Sequence, residues 1–263
     1  MKLGVNIDHI AVLREARKVP DPDPLDALSV CKYAGVDQIT MHLREDRRHM
    51  QDSDAQNIIK LSALPVNLEC SIAEEMIDIA CKLRPFRVTL VPENRKEVTT
   101  EGGLAVIGNQ DRLKNAIKRL QAEEIEVSLF IDPSIQAINA AKNLSVEWIE
   151  FHTGRYANLY GMLYNNWANT LYKIEELDLS RKELTAMLTK ELEKLTKLSN
   201  DARNMDIRVA AGHGLNYQNV DSIAKIDAIE ELNIGQSIIA RSVYTGLKQA
   251  IFDMKEKLSK GNK

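Results

Sequence analysis

Residues 38–44 read QITMHLR. Gln38, Thr40, His42 and Arg44 alternate there with Ile39, Met41 and Leu43. Side chains of an extended strand alternate faces with a period of two, so this run has one polar face and one apolar face. The same alternation recurs outward from it. Asn6 and Asp8 stand against Val5 and Ile7, and Asn67 and Glu69 against Val66, Leu68 and Cys70. Glu150 and His152 stand against Ile149 and Phe151, and Glu231, Asn233 and Gly235 against Leu232 and Ile234. The apolar sets should face helices and the polar sets should face inward.

Strands are expected near 3–8, 36–42, 66–70, 86–91, 125–131, 147–152, 207–211 and 229–234. Helical patterns fall at about 25–34, 54–63, 73–83, 110–122, 134–142, 181–204, 217–224 and 239–258. Strands alternating with helices imply parallel strands joined by right-handed crossovers. Eight such units in 263 residues favour one closed (β/α)8 barrel domain over residues 1–263, with an open doubly wound sheet as the alternative. The stretch from about 153 to 206 exceeds ordinary spacing. Extra helices are expected there, including the amphipathic ELTAMLTKELEKLTKL at 183–198.

Composition narrows the class. A net charge of −3 gives no reason for a nucleic acid or anionic membrane partner. The start, MKLGVNIDHI, lacks the apolar core of a signal peptide. No apolar run approaches the ~18 residues of a membrane span. Cys31, Cys70 and Cys81 form no CxxC, and an odd, sparse set suits a reducing cytoplasm.

Barrel interiors are usually filled by Val, Ile and Leu, and barrel active sites lie at the carboxyl ends of the strands. Buried charge is costly unless paired. A polar interior is therefore either a structural hydrogen-bond network or a site. The first explains deep residues such as Gln38 and Thr40, and the second explains the strand ends. His9, His42, His152 and His213 lie at or just past expected strand ends, and His49 lies in the loop after the second strand. Such histidines with Asp8, Glu69 and Glu150 suit either a metal or metal-free proton transfer. There is no HExxH, and the carboxylates are spread singly among strands, so proton transfer is favoured. No lysine lies inside an expected strand near its carboxyl end, which disfavours a protein Schiff base. The turns Ala211-Gly212-His213-Gly214 and Gly235-Gln236-Ser237 suit phosphate, which barrels commonly bind after strands 7 and 8. Arg44, Arg47, Arg48 and His49 offer a second cationic cluster after the second strand, and Arg17 lies beyond the first. A metal-dependent lyase or hydrolase and a non-catalytic phospho-ligand-binding barrel remain as alternatives.

The blocks GVNIDHIAVLREAR, MHLREDRRHMQD, NLEC, LVPENRKEVTTEGGL, VSLFIDPS, IEFHTG, AAGHGLNYQNV and ELNIGQSIIARSV resemble the pyridoxine 5′-phosphate synthase family. The likeness runs from Leu3 to about Lys255, except across 155–204. It implies a TIM barrel condensing 1-deoxy-D-xylulose 5-phosphate with 3-amino-2-oxopropyl phosphate, without a cofactor or metal. It implies His42 and Glu69 as proton acceptors, His213 as proton donor and Glu150 as a charge stabiliser. Asn6, Arg17, Gly214, Gly235 and Gln236 are implied to bind the aminoketone phosphate. Asp8, His9, Arg44, His49 and Thr99 are implied to bind the ketose phosphate, with residues 99–103 closing over the site. The family assembles as homo-octamers. Gln236 departs from the histidine often found there, and 155–204 is longer than in the family.

Overall fold

The apolar faces of the strands seed the architecture. Ile39, Met41, Leu68, Val88, Leu129, Ile149, Phe151 and Leu232 are completely buried. Burying one such side chain stabilises by about 1.5–3 kcal/mol, so each strand needs a helix packed against it. The computed structural model describes residues 1–93 and 102–260. Its strands are β1 (Lys2–Asn6), β2 (Gln38–His42), β3 (Val66–Cys70), β4 (Arg87–Leu90), β5 (Glu126–Ile131), β6 (Trp148–His152), β7 (Arg208–Gly212) and β8 (Glu231–Ile234). All pair in parallel in chain order, and β8 closes on β1 through Leu3↔Leu232 and Val5↔Ile234.

Helices cover the outside: α1 (Asp8–Arg17), α2 (Asp26–Tyr33), α3 (Asp52–Leu61), α4 (Glu74–Leu83), α5 (Gln110–Ala122) and α6 (Ile135–Asn143). They continue with α7 (Gly154–Tyr164), α8 (Arg181–Asn204), α9 (Val220–Ala224), α10 (Gln236–Thr245) and α11 (Leu247–Lys260). The extra helices expected between 153 and 206 are α7 and two short 3-10 turns, Trp167–Asn169 and Glu175–Leu177, ahead of α8. Ser180 starts α8: its hydroxyl accepts from the Glu183 amide while the Glu183 carboxylate accepts from the Ser180 amide.

Two expectations need correction. The first strand ends at Asn6, and Asp8 opens α1 instead of continuing the strand. The Asn6 side chain accepts from the Asp8 amide at 2.9 Å and donates to the Asp8 carboxylate at 2.8 Å. This local bond competes with strand pairing and turns the chain. The last expected helix, 239–258, is two helices that meet at Gly246, whose φ of +78° lies in a region that favours glycine.

Inside the barrel, polar side chains replace the usual aliphatic layers. Toward the amino end, Arg87 donates to Glu231 at 2.8 Å, and Gln38 donates to the same carboxylate at 3.0 Å. The Trp148 ring lies between the Arg87 and Arg208 guanidiniums, at 3.8 and 3.9 Å from its centroid, and its N–H donates to Glu126 at 2.9 Å. One layer higher, Thr40 donates to Asn233, which donates to Glu150, and Thr89 donates to Asn67.

Removing one partner of a fully buried pair costs about 3–5 kcal/mol, because the other charge is left unanswered. Arg87→Met should therefore lower unfolding free energy by about 3 kcal/mol or more. Adding Glu231→Gln should recover much of that loss. Denaturation midpoints of both variants test this. A double variant no more stable than Arg87→Met refutes the pairing argument.

Candidate active site

Parallel strands bring all their carboxyl ends to one rim. Every strand, or the residue just past its end, supplies a side chain to a cavity of about 330 Å³ there: Asn6, His42, Glu69, Val91, Phe130, Glu150, His213 and Asn233. His9, Gly214, Gly235 and Gln236 complete the lining, with Trp167 and Asn216. A cavity of this size suits a small ligand.

The hydrogen bonds show how each group is held. Asp8 accepts the His42 backbone N–H at 2.8 Å, joining the start of α1 to the end of β2. The His42 ring nitrogen Nε2 lies 3.0 Å from Glu93. Glu150 accepts from Asn233 at 2.7 Å. His152 pairs with Asp132 at 3.0 Å, and its ring centroid lies 4.9 Å from that of His213. His213 has a φ of +77°, uncommon for a residue with a side chain and strained by about 1–3 kcal/mol. The Thr153 hydroxyl lies 2.7 Å from the Gly212 carbonyl and 2.6 Å from that of His213, which fixes the turn. A side chain at Gly212 would strike the Glu150 carboxylate, so only glycine lets β7 pass there.

The charge states follow from surroundings. Burial, then the charges of Glu150 and Asp8, push Glu69 well above the carboxylate range. Burial raises Glu150 to about 7, against the opposing Asn233 bond. Two carboxyls on one cavity thus hold protons that exposed carboxylates would lose. Burial first, then His152 and His9, lower His213 to about 4, so its imidazole is neutral near pH 7. Burial also lowers His9 and His49.

Helix α10 begins at Gln236, directly on the cavity. Its first-turn amides point out of the helix end, where an anion is favoured. Gly214, with a φ of +76°, faces the same space.

The structure brings Asn6, His9, His42, Glu69, Glu150, His213, Gly214, Gly235 and Gln236 together. Asp8 stands behind them, bonded to Asn6 and His42. Arg17 is exposed at the end of α1 and does not line the cavity. The cationic cluster is salted with acids: Arg44 meets Asp46, Arg47 meets Asp52 and Glu75, and Arg48 meets Asp46. His49 lies behind His42 with ring centroids 6.2 Å apart, and its Nδ1 accepts from the Met50 amide. Thr99, and with it most of 99–103, lies outside the described residues. Sequence reasoning gave no role to Glu93, Asp132, Phe130 or Trp167. Glu93 and Asp132 carried a usable signal, being acids within three residues of the ends of β4 and β5. Among the described residues, no group of three His, Cys, Asp or Glu is placed to hold a metal ion.

Comparison with known proteins bears on this geometry. A family profile described as pyridoxal phosphate biosynthesis protein PdxJ matches residues 3–260. The pyridoxine 5′-phosphate synthase of Sulfurovum sp. (strain NBC37-1) is 70% identical, covering 98% of this chain and 100% of its own length. That of Aliarcobacter butzleri (strain RM4018) is 64% identical, over 97% of this chain and 98% of its own. The solved structure of a thiamine phosphate pyrophosphorylase from Pyrococcus furiosus superposes with a TM-score of 0.56, covering 100% of this chain and 97% of its own. At 12% identity, it shares the fold alone. With a profile spanning residues 3–260 and relatives this similar over their full length, the chain belongs to the pyridoxal phosphate biosynthesis protein PdxJ family.

Proposed function

We propose that this protein is a pyridoxine 5′-phosphate synthase, a transferase that works by acid–base chemistry and needs no cofactor. Its substrates are 1-deoxy-D-xylulose 5-phosphate and 3-amino-2-oxopropyl phosphate, and its products are pyridoxine 5′-phosphate, phosphate and water. The observation that carries this reading is the convergence of Glu69, Glu150, His42 and His213 on one cavity bordered by a glycine turn and a helix N-terminus.

Ring closure requires imine formation, tautomerisation and loss of water, and each step moves protons. His42 accepts them, Glu69 accepts them once its own resting proton has passed to the substrates, His213 returns them, and Glu150 answers charge that develops between. Among the described residues, no lysine lines the cavity. The nucleophile is therefore the substrate's own amine, held against the ketone by two phosphate contacts. Such positioning alone lowers a barrier by several kcal/mol. One phosphate sits at Gly214, Gly235 and Gln236, where the Gln236 amide serves in place of histidine. Its negative charge beside His213 raises the imidazole from its low resting pKa and readies it to donate. Asp8, His9, Arg44, His49 and Thr99 serve the ketose phosphate, with Arg17 on the aminoketone side.

The protein works as a single-domain subunit of a homo-oligomer in the cytoplasm, an octamer by its family resemblance. Leu171, Tyr172, Val243 and Tyr244 are exposed, and apolar surface of this kind favours a protein partner. Buried Cys31, its thiol pushed up to about 12 by burial, suits a reducing compartment. No described helix is long and apolar enough to cross a membrane.

Incubating both substrates with the enzyme should yield pyridoxine 5′-phosphate by mass spectrometry. Glu69→Gln should bind the substrates but lose about 10²–10⁴ of turnover. Absence of product from wild type sinks the reading, and normal turnover in Glu69→Gln sinks that residue's role. Glu150 also makes stability depend on pH. Its folded pKa exceeds the unfolded value, so the folded state holds the extra proton and loses stability as pH rises toward and through about 7. Glu150→Gln should therefore gain thermal stability over wild type from about pH 5 to about pH 8. Parallel melting curves across that range argue against a raised pKa. Light scattering at micromolar concentration should report an assembly larger than a dimer, and a monomer rejects the proposed assembly.

A further inference from the structure

Glu93 carries none of the roles above. One of its carboxylate oxygens lies 3.0 Å from His42 Nε2, and the other accepts the Glu45 amide at 2.9 Å. The His42 and Glu93 side chains are 10% and 5% exposed. Resting on the synthase reading, we infer that Glu93 is the positioning residue for His42. It holds the ring in the Nε2–H tautomer, so that Nδ1 is the proton acceptor.

The donor–acceptor inventory drives this conclusion. An ionised carboxylate has no proton to give, so a ring nitrogen at 3.0 Å must donate to it. A neutral imidazole has one N–H, and once Nε2 carries it the lone pair is on Nδ1. Glu93 stays ionised although burial opposes it. The His42 hydrogen bond, the Glu45 amide and Arg44 hold its pKa below the ordinary carboxylate value. The Glu45 amide also fixes the second oxygen, so the carboxylate does not swing away. The ring's base is anchored separately, because Asp8 accepts the His42 backbone amide. Carboxylates that hold a catalytic imidazole in this way set its tautomer and stabilise the cation formed when it takes a proton.

Other charged or titratable groups surround the pair. Glu69 faces His42 from β3, in register beside it. Asp8 faces it from α1, and His49 lies behind it with Arg44 and Arg48 in the loop after β2. Cys70 approaches Glu93 from the helix side of β3. Among the described residues, Glu93 is the one whose side chain is hydrogen-bonded to the His42 ring.

The test is kcat and KM against pH for wild type, Glu93→Gln and Glu93→Asp, with both phosphorylated substrates. Glu93→Gln should lower kcat about a hundredfold with little change in KM. Its acid limb should move down by about one pH unit, because losing the negative charge makes the imidazolium easier to deprotonate. Glu93→Asp keeps the charge, so its limb should stay in place while part of the rate returns. Wild-type kcat in Glu93→Gln overturns the inference, as does a rate loss with an unmoved limb, which means packing alone. If circular dichroism shows that Glu93→Gln is unfolded, Glu93→Asp decides. A tenfold or greater fall in kcat at constant KM supports the inference, and a wild-type rate overturns it. Absence of product from wild type defeats the synthase reading and this inference together. Product from wild type with an insensitive Glu93→Gln defeats this inference alone.

Discussion

A carboxylate inside a barrel keeps its charge only if another group answers it, and this constraint organises the molecule from base to mouth. At the base, Glu231 is answered by Arg87 and Gln38, and Glu126 by Arg87 and the Trp148 indole. Toward the mouth the cations give out. Glu150 has the neutral amide of Asn233 as its hydrogen-bond partner, and Glu69 faces Glu150 and Asp8. The same residue type therefore serves as a structural anion below and a proton reservoir above. The difference lies in whether a guanidinium is within reach.

The imidazoles follow the same logic. His42 and His152 each meet an acid, Glu93 and Asp132, whereas His213 meets the ring of His152 and a buried wall. A histidine bonded to a carboxylate has its ring held in place, and His213, buried and beside other imidazoles, is driven neutral. The strained φ of His213 persists because Thr153 binds the carbonyls on both sides of that turn. Rigid strands, one strained turn and one helix end hold these groups in a fixed relation.

The comparisons divide along the line between fold and chemistry. A barrel at 12% identity superposes over the whole chain, because closure needs only alternating apolar faces and covering helices. The relatives at 64–70% identity cover nearly the whole chain.

The sequence by itself determined the barrel, because eight strand runs alternating with helical patterns, five of them with clear period-two alternation, leave few ways to bury every apolar face. It also determined the rim, since His42, Glu69, Glu150 and His213 share the inward parity or follow a strand end directly. It misplaced Asp8, because a local Asn6–Asp8 bond outweighs strand pairing and alternation does not report such bonds. Arg44, Arg47, Arg48 and His49 read as one cationic cluster, yet a string of letters does not show that Arg44 turns to Asp46, Arg47 to Asp52 and Glu75, and Arg48 to Asp46. Tertiary structure alone decided that Glu93 reaches His42 across 51 residues and that Asp132 reaches His152 across 20. It also decided which carboxyls keep their protons. Those outcomes depend on distances between strands that closure of the barrel creates, and no local pattern encodes them.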